Sequence, residues 1–334
     1  MASRAFITGL SGLTITPLER AFLREAAPWG LIIFKRNISN PQQVADLVRD
    51  FRDVVGWEAP VLVDQEGGRV QRLGPPHWPV YPPGGVYGAI YDRDQASGLA
   101  AARLGAHLIA SDLRALGIDV DCLPLADVPV SDGDPIIGDR AYGTDPAKVA
   151  AIAGAVADGL LAGGVLPVLK HLPGHGRARA DSHKELPVVD TDRATLERTD
   201  FAAFRPLAGL PLGMTAHVVF SAIDRLAPAT TSVTMVREVI RGSIGFAGLL
   251  MSDDVSMGAL SGTIAERSQQ ALAAGCDVVL HCNGDLAEMR EVAGVAPELG
   301  GAAARRADAA LALRSQREEF DVAAAREIFN AMVA

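Results

Sequence analysis

Residues 165–183 read VLPVLKHLPGHGRARADSH, and the rest of the sequence is best interpreted outward from them. The apolar run at 165–169 predicts a buried strand, and Pro173 and Gly174 then predict a loop. The stretch also holds one lysine, three histidines and one aspartate. A loop does not need such side chains to be stable, so we interpret residues 170–183 as a functional site that follows a strand.

Short apolar runs alternate with helix-like stretches along nearly the whole chain. Their near-continuous hydrophobicity is typical of strands buried on both faces. Thr16-Pro17 shows how a helix start can be recognised, since an N-cap residue precedes proline at the first helical position. The predicted strands are residues 5–8, 30–34, 61–64, 120–125, 165–170, 212–216, 249–252 and 277–280.

Eight strands that alternate with helices predict an α/β fold, a single (β/α)8 TIM-type barrel. Residues 285–334 are rich in alanine, glutamate and arginine and predict C-terminal helices that close the barrel. Residues 1–334 are therefore expected to form a single catalytic TIM-barrel domain. A doubly wound open sheet is the alternative architecture.

Composition limits the class of partner. The chain has 334 residues, a formal net charge of −9 and no basic run, which disfavours nucleic acid and anionic membranes. The N-terminus lacks the apolar core of a signal peptide, and no stretch approaches the roughly 18 apolar residues of a membrane span. The three cysteines lack metal-ligand spacing. We expect a soluble, cytoplasmic, monomeric protein that acts on a small molecule without a metal or cofactor.

Two kinds of chemistry fit the histidines of the loop. His171 and His175 have the i, i+4 spacing of metal ligands on a helix, but the proline and glycine between them exclude a helix. Asp181 can instead accept a hydrogen bond from one ring nitrogen of His183 and leave the other nitrogen for a substrate. We favour this acid–base interpretation. The alternative is a metal-dependent TIM-barrel hydrolase or deacetylase, whose ligands would be these three histidines with Asp181 or Asp253.

Polar residues follow six of the predicted strands. In a TIM barrel the carboxyl ends of the strands form the active site, so we expect these side chains to converge. Glu66, Asp127 and His217 are expected to play structural roles rather than contact a substrate. The polar strand-end residues are Asp64, Asp127, Lys170, His171, His217, Asp253, Asp254, His281, Cys282 and Asn283.

The segments KHLPGHG at 170–176 and DSH at 181–183 resemble the signature of family 3 glycoside hydrolases, in their β-N-acetylglucosaminidase branch. Leu172 stands where an aromatic residue is common. The resemblance covers about residue 5 to about residue 290. It implies exo-hydrolysis of terminal β-1,4-linked N-acetylglucosamine (GlcNAc) from cell-wall fragments that carry 1,6-anhydro-N-acetylmuramic acid (anhydroMurNAc), during peptidoglycan recycling.

The resemblance also implies catalytic roles. Retaining hydrolysis needs a nucleophile for the anomeric carbon and a group that protonates the leaving oxygen. The match of SDDVSM at 252–257 places the nucleophile on Asp253, and the acid–base role carries over to His183 with Asp181 orienting it. Asp254 is the rival nucleophile, but consecutive strand residues face opposite ways. A sugar-binding barrel without catalysis is a third interpretation, which the presence of all three catalytic groups disfavours.

The resemblance further implies a set of substrate-binding residues. Arg72 fits the family's position better than Arg69, which is the candidate for a structural ion pair. The aromatic side chains of the proline-rich passage 74–88 are expected either to wall the sugar site or to pack in a surface loop. The implied substrate-binding residues are Asp64, Arg72, Arg140, Lys170 and His171.

Overall fold

The computed structural model of the protein describes residues 3–315, 317–319 and 321–334. Eight parallel strands form the barrel: β1 Arg4–Thr8, β2 Pro28–Ile33, β3 Val61–Val63, β4 Val120–Asp121, β5 Leu166–Leu172, β6 Leu212–Thr215, β7 Leu249–Asp254 and β8 Val278–His281. They close in the spatial order β1-β8-β7-β6-β5-β4-β3-β2. The predicted TIM-type barrel is confirmed, and the open sheet is wrong because β1 pairs with both β2 and β8.

Helices surround the barrel, and the helix that starts after Thr16 begins where the sequence predicts. The Thr16 hydroxyl accepts from the Glu19 amide at 3.2 Å, and the Glu19 carboxylate accepts from the Thr16 amide at 2.8 Å, a reciprocal cap that satisfies two backbone donors. A π-helix, Met235–Ser243, lies between β6 and β7. The α-helices are α1 Pro17–Ala26, α2 Pro41–Val55, α3 Gly84–Arg93, α4 Gln95–Arg114, α5 Pro146–Ala162, α6 Arg193–Arg198, α7 Asp200–Phe204, α8 Ile264–Ala274, α9 Leu286–Val295, α10 Gly301–Ala312 and α11 Val322–Val333.

Two hydrophobic clusters stabilise this arrangement, and together they bury both faces of the strands. Inward-facing strand residues such as Ile7, Leu62 and Val168 fill the barrel. Outward-facing residues such as Phe6, Val63 and Leu169 pack against the helices. None of the helices in the described residues is long and apolar enough to span a membrane. That residues 1–334 form one domain stays a prediction, and residues 1, 2, 316 and 320 lie outside the described residues.

The aromatic residues of the passage 74–88 pack within the protein. Helix α3 begins inside this passage, at Gly84, which the loop prediction missed. Tyr81 and Tyr87 are buried, and their ring centroids lie 6.1 and 6.4 Å from that of Phe329 on α11. The expectation of an aromatic wall at the sugar site is therefore wrong for both tyrosines.

Candidate active site

A cavity of about 420 Å³ lies at the carboxyl end of the barrel. The ends of β5 and β7 and the segments that follow β2, β3, β4 and β5 supply its acidic and basic groups, as the barrel rule predicts. Seven of the eight residues predicted to act in catalysis or binding line it, and the eighth, Asp181, contacts the lining residue His183. The acidic, basic and histidine residues that line it are Arg36, Asp64, Glu66, Arg72, Arg140, Lys170, His171, His175, His183, Asp253 and Asp254.

Asp64, at the end of β3, is held by two cations. Lys170 Nζ lies 3.1 Å from one carboxylate oxygen, and an Arg72 guanidinium nitrogen donates to the other at 2.7 Å. Burial alone would raise the pKa of Asp64, but these cations hold the pKa well below its usual range. The carboxylate therefore stays ionised and can accept hydrogen bonds from hydroxyl groups.

Glu66 connects two further residues of the predicted binding set. Its carboxylate lies 2.6 Å from Lys170 Nζ and accepts two hydrogen bonds from the Arg140 guanidinium, each 2.8 Å long. Burial alone would lower the pKa of Lys170, but Glu66 and Asp64 raise it above its usual range. Glu66 thus orients both cations. It also lines the cavity, a position that the expected structural role did not predict.

Arg69 and Arg72 have separate roles, although they lie three positions apart in the sequence. Arg69 pairs with Asp139 at 3.1 Å and donates to backbone carbonyls of residues 135–137. Arg72 lines the cavity, and its guanidinium lies 4.8 Å from the ring centroid of Phe34. Arg69 therefore forms the structural ion pair, and substrate binding by Arg72 stays a prediction.

His171, at the end of β5, is oriented by the buried carboxylate of Asp127. Its Nδ1 lies 2.7 Å from one Asp127 oxygen, and the other oxygen accepts from the His175 amide at 2.7 Å. Burial alone would raise the pKa of Asp127, but the adjacent His171 lowers it. Asp127 is fully buried and supports the cavity wall without lining it, which matches its expected structural role.

Asp253, the predicted nucleophile, lies at the end of β7 with little of its carboxylate engaged. One oxygen accepts from the Asp254 amide at 2.8 Å. Burial alone would raise the pKa of Asp253, but His217 and His171 lower it. A nucleophilic carboxylate must be ionised, and this environment favours that state.

Asp254 lines the same cavity, so the expectation that one of the two aspartates points away is wrong. The pairing register of β7 with β8 shifts between Met251 and Asp254, which breaks the strict alternation of facing directions. The Asp254 carboxylate accepts from the Ser256 amide and hydroxyl and from the Cys282 amide, at 2.7 to 3.1 Å. Because these donors occupy Asp254, Asp253 is the more available nucleophile.

Asp181 and His183 form the hydrogen-bonded pair that the sequence predicts. One Asp181 oxygen lies 2.8 Å from Nδ1 of His183 and accepts from its amide at 2.9 Å. Burial would raise the pKa of Asp181, but the hydrogen bonds from His183 outweigh it and lower the pKa. The His183 side chain is 62% exposed and lines the cavity.

Three polar strand-end residues do not line the cavity, namely Asp127, His217 and His281, and convergence was wrongly predicted for them. Nε2 of His217 donates to the Asp254 carbonyl at 3.0 Å, and its Nδ1 lies 2.7 Å from the Thr230 hydroxyl. His281 faces outward and lies 2.9 Å from Glu288 on α9. From β6 it is Met214, an apolar residue, that lines the cavity.

Phe34 and Arg36 line the cavity and were missed in the sequence analysis. Arg36 is held by the carbonyl oxygens of Leu10 and Cys282. Both residues directly follow β2, so the strand-end rule applied to the second strand would have found them.

The metal-site alternative lacks an assembled ligand set in the described parts of the chain. No group of three or more His, Cys, Asp or Glu side chains in residues 3–315, 317–319 and 321–334 is arranged to hold a metal ion. His171 is instead engaged by Asp127, and His183 by Asp181.

Carboxylates around a cavity at the carboxyl end of a TIM barrel are suited to glycoside hydrolysis. The family model "Glycosyl hydrolase family 3 N terminal domain" matches residues 15–312. The chain belongs to this family.

Relatives narrow this assignment. A beta-hexosaminidase of Alkalilimnicola ehrlichii is 40% identical over 279 residues, which are 82% of this chain and 79% of that protein. A beta-hexosaminidase of Bordetella avium is 37% identical, with 82% and 79% covered.

Solved structures agree. NagZ from Neisseria gonorrhoeae, in complex with N-trifluoroacetyl-D-glucosamine, superimposes with a TM-score of 0.86 at 30% identity, covering 100% of this chain and 96% of that chain. A family 3 β-N-acetylglucosaminidase from Paenibacillus sp. superimposes with a TM-score of 0.88 at 29% identity. The superposition covers 98% of this chain and 66% of the Paenibacillus chain. The predicted resemblance and the predicted glycoside hydrolase class are confirmed.

Proposed function

We propose that this β-N-acetylhexosaminidase of family 3 is a retaining exo-enzyme. It removes terminal GlcNAc from muropeptides, the GlcNAc–anhydroMurNAc fragments handled in peptidoglycan recycling. The observation that carries the proposal is that two groups lie at one cavity. One is the Asp253 carboxylate, which accepts a hydrogen bond from the Asp254 amide, and the other is the hydrogen-bonded Asp181–His183 pair. These are the two functional groups that retaining hydrolysis needs.

The first chemical step forms the glycosyl-enzyme. An Asp253 oxygen attacks the anomeric carbon while Nε2–H of protonated His183 gives its proton to the departing glycosidic oxygen. The carbon–oxygen bond to the leaving group breaks, and its electrons go to that oxygen. The Asp181 carboxylate, 2.8 Å from Nδ1, stabilises the imidazolium before transfer and fixes the tautomer after it.

The second step releases the sugar. Neutral His183 accepts a proton through Nε2 from a water molecule, whose oxygen attacks the anomeric carbon and displaces Asp253. Two displacements at one carbon retain its configuration. A histidine suits both directions of proton transfer because its unperturbed pKa of about 6.5 lies near neutral pH.

The cations and anions around Asp64 are proposed to bind the terminal GlcNAc. Asp64 accepts hydrogen bonds from sugar hydroxyls, and Arg72, Arg140, Lys170 and His171 donate or accept around the same ring. Their mutual ion pairs support this proposal because they hold each group in place before substrate arrives, which lowers the ordering cost of binding. The remaining parts of the proposal are that the enzyme acts as a monomer and in the cytoplasm, without metal, nucleic acid or membrane.

Hydrolysis of 4-nitrophenyl β-N-acetylglucosaminide, compared with the matching β-glucoside, tests this function. We expect turnover of the N-acetyl substrate, unchanged after prolonged chelation, and release of GlcNAc from GlcNAc–anhydroMurNAc. Activity that disappears with chelation would support the metal-dependent hydrolase or deacetylase instead. Binding of GlcNAc without turnover of any β-N-acetylglucosaminide would support the non-catalytic barrel.

A further inference from the structure

The segment 179–184, here called the dyad loop, carries Asp181 and His183 and is attached to the turn that follows Asp253. The Ala259 amide donates to the Ser182 carbonyl at 3.2 Å, and the Gly258 amide donates to the His183 carbonyl at 3.3 Å. The backbone carbonyls before and after the His183 Cα are thus hydrogen-bonded to residues 258 and 259, in the turn that follows Asp253.

A side-chain hydrogen bond attaches the dyad loop from the opposite side. Nε2 of His175 lies 3.0 Å from the Ser182 hydroxyl, and both side chains are buried. The His175 amide donates to Asp127, so the residue that holds Ser182 is itself fixed to the barrel.

The His175 ring is held in its neutral form at this contact near neutral pH. Burial, helped by His171, lowers the pKa of His175 to about 4, so the ring is neutral near neutral pH. Among the described residues no partner hydrogen-bonds its buried Nδ1. An unpaired acceptor costs less than an unpaired N–H, so we assign the proton to Nε2, which donates it to Ser182.

Gly258 permits the close approach of the two segments. A Cβ at this position would lie 2.9 Å from the carbonyl oxygens of both His183 and Lys184, closer than a carbon atom can approach a backbone oxygen. The residue is exposed to solvent, so core packing does not explain the need for glycine. Its small size is required by the dyad loop.

We propose that His175, Ser182 and Gly258 are positioning residues that hold the dyad loop against the turn after Asp253. The inference rests on the proposed function, since it presupposes that His183 is the acid–base group. The three residues touch no reacting atom in this account. They act by keeping His183 at a fixed place relative to the nucleophile, and a misplacement of about 1 Å can cost roughly 10²-fold in rate.

The variants Ser182→Ala and Gly258→Ala test the inference on two substrates. 4-Nitrophenyl β-N-acetylglucosaminide has a leaving group that needs little protonation. The leaving oxygen of methyl β-N-acetylglucosaminide, here called the methyl glycoside, must be protonated as it departs. We expect each variant to lose roughly 10-fold to 10²-fold in kcat/KM on the methyl glycoside, with little loss in kcat/KM on the nitrophenyl substrate, because kcat/KM reports only the steps up to formation of the glycosyl-enzyme, in which His183 acts as the acid. A merely structural role would lower the activity on both substrates together.

Two further variants make the result decisive. Gly294→Ala, at an exposed helical glycine with no heavy atom within 4 Å of the added Cβ, should behave as wild type on both substrates. His183→Ala should show the largest leaving-group dependence. If it does and Ser182→Ala and Gly258→Ala show equal losses or none, the positioning inference is overturned alone. If His183→Ala itself shows no leaving-group dependence, the proposed function fails and the inference fails with it.

Discussion

At the end of β7, Asp253 and Asp254 are adjacent carboxylates with different surroundings, and replacing each one alone separates their roles. Asp253→Asn removes the charge of the proposed nucleophile, so kcat should fall on the order of 10³-fold or more. Asp254→Asn keeps an oxygen to accept from the Ser256 and Cys282 amides and should cost about tenfold or less. Steady-state kinetics on the nitrophenyl substrate measure both. Equal losses would contradict the choice of Asp253.

Asp121, at the end of β4, is expected to make stability depend on pH. Burial raises the pKa of this carboxyl to about 8, so the folded protein keeps a proton that the unfolded chain releases at about pH 3.9. The stabilising contribution of the protonated form is therefore complete below about pH 3.9 and is lost as the pH rises through about 8. Within that window the contribution falls by up to about 1.4 kcal/mol per pH unit.

The variant Asp121→Asn removes this titration. It keeps an acceptor for the Gln65 amide, whose hydrogen bond to the carboxyl is 3.0 Å long. We expect its free energy of unfolding, measured by urea denaturation, to fall less steeply between pH 5 and pH 8 than that of wild type. Parallel pH dependences would show that Asp121 is not the group responsible.

At the scale of elements, Glu66 lies on the short strand Gln65–Gly67 and connects this strand with β5 and with the segment around Arg140. Glu66→Gln leaves the cations Lys170 and Arg140 without a common carboxylate. We expect KM to rise about tenfold because ground-state binding is weakened, and thermal stability to fall because a buried ion pair has lost one partner. Asp139→Asn is the matched control, since it breaks only the exposed pair with Arg69. A wild-type KM in Glu66→Gln would exclude this role.

The elements that the sequence predicts well are those defined by continuous apolar runs. All eight barrel strands occur within a few residues of their predicted positions, because strands buried on both faces exclude polar residues. The direction of side chains at strand ends was less predictable. His281 faces α9 rather than the cavity, and Asp254 shares the cavity with Asp253, because the local register shift is set by contacts between strands that are distant in sequence. The contact of Ser182 with Ala259 has no signal in the sequence for the same reason, and its contact with His175 depends on the conformation of the loop between them.

At the scale of the whole molecule, α11 docks onto the passage 74–88 and α4, far along the chain from both. Phe329 packs against Tyr81 and Tyr87, and Arg326 pairs with Asp112 of α4 at 3.0 Å. If residues 1–334 form one domain, as predicted, the wild type should unfold in a single cooperative thermal transition, because this C-terminal helix then shares the core of the barrel.

Phe329→Ala tests that integration directly. Removing a buried ring should lower the free energy of unfolding by about 3–5 kcal/mol, and the whole transition should shift to lower temperature. Ile328→Ala, at a neighbouring side chain that is 57% exposed, should stay within about 0.5 kcal/mol of wild type. Since neither residue lines the cavity, kcat/KM of both variants should remain near the wild-type value below the transition. A separate early transition in Phe329→Ala, with the main one unmoved, would mean that α11 unfolds independently and contributes little to the stability of the barrel.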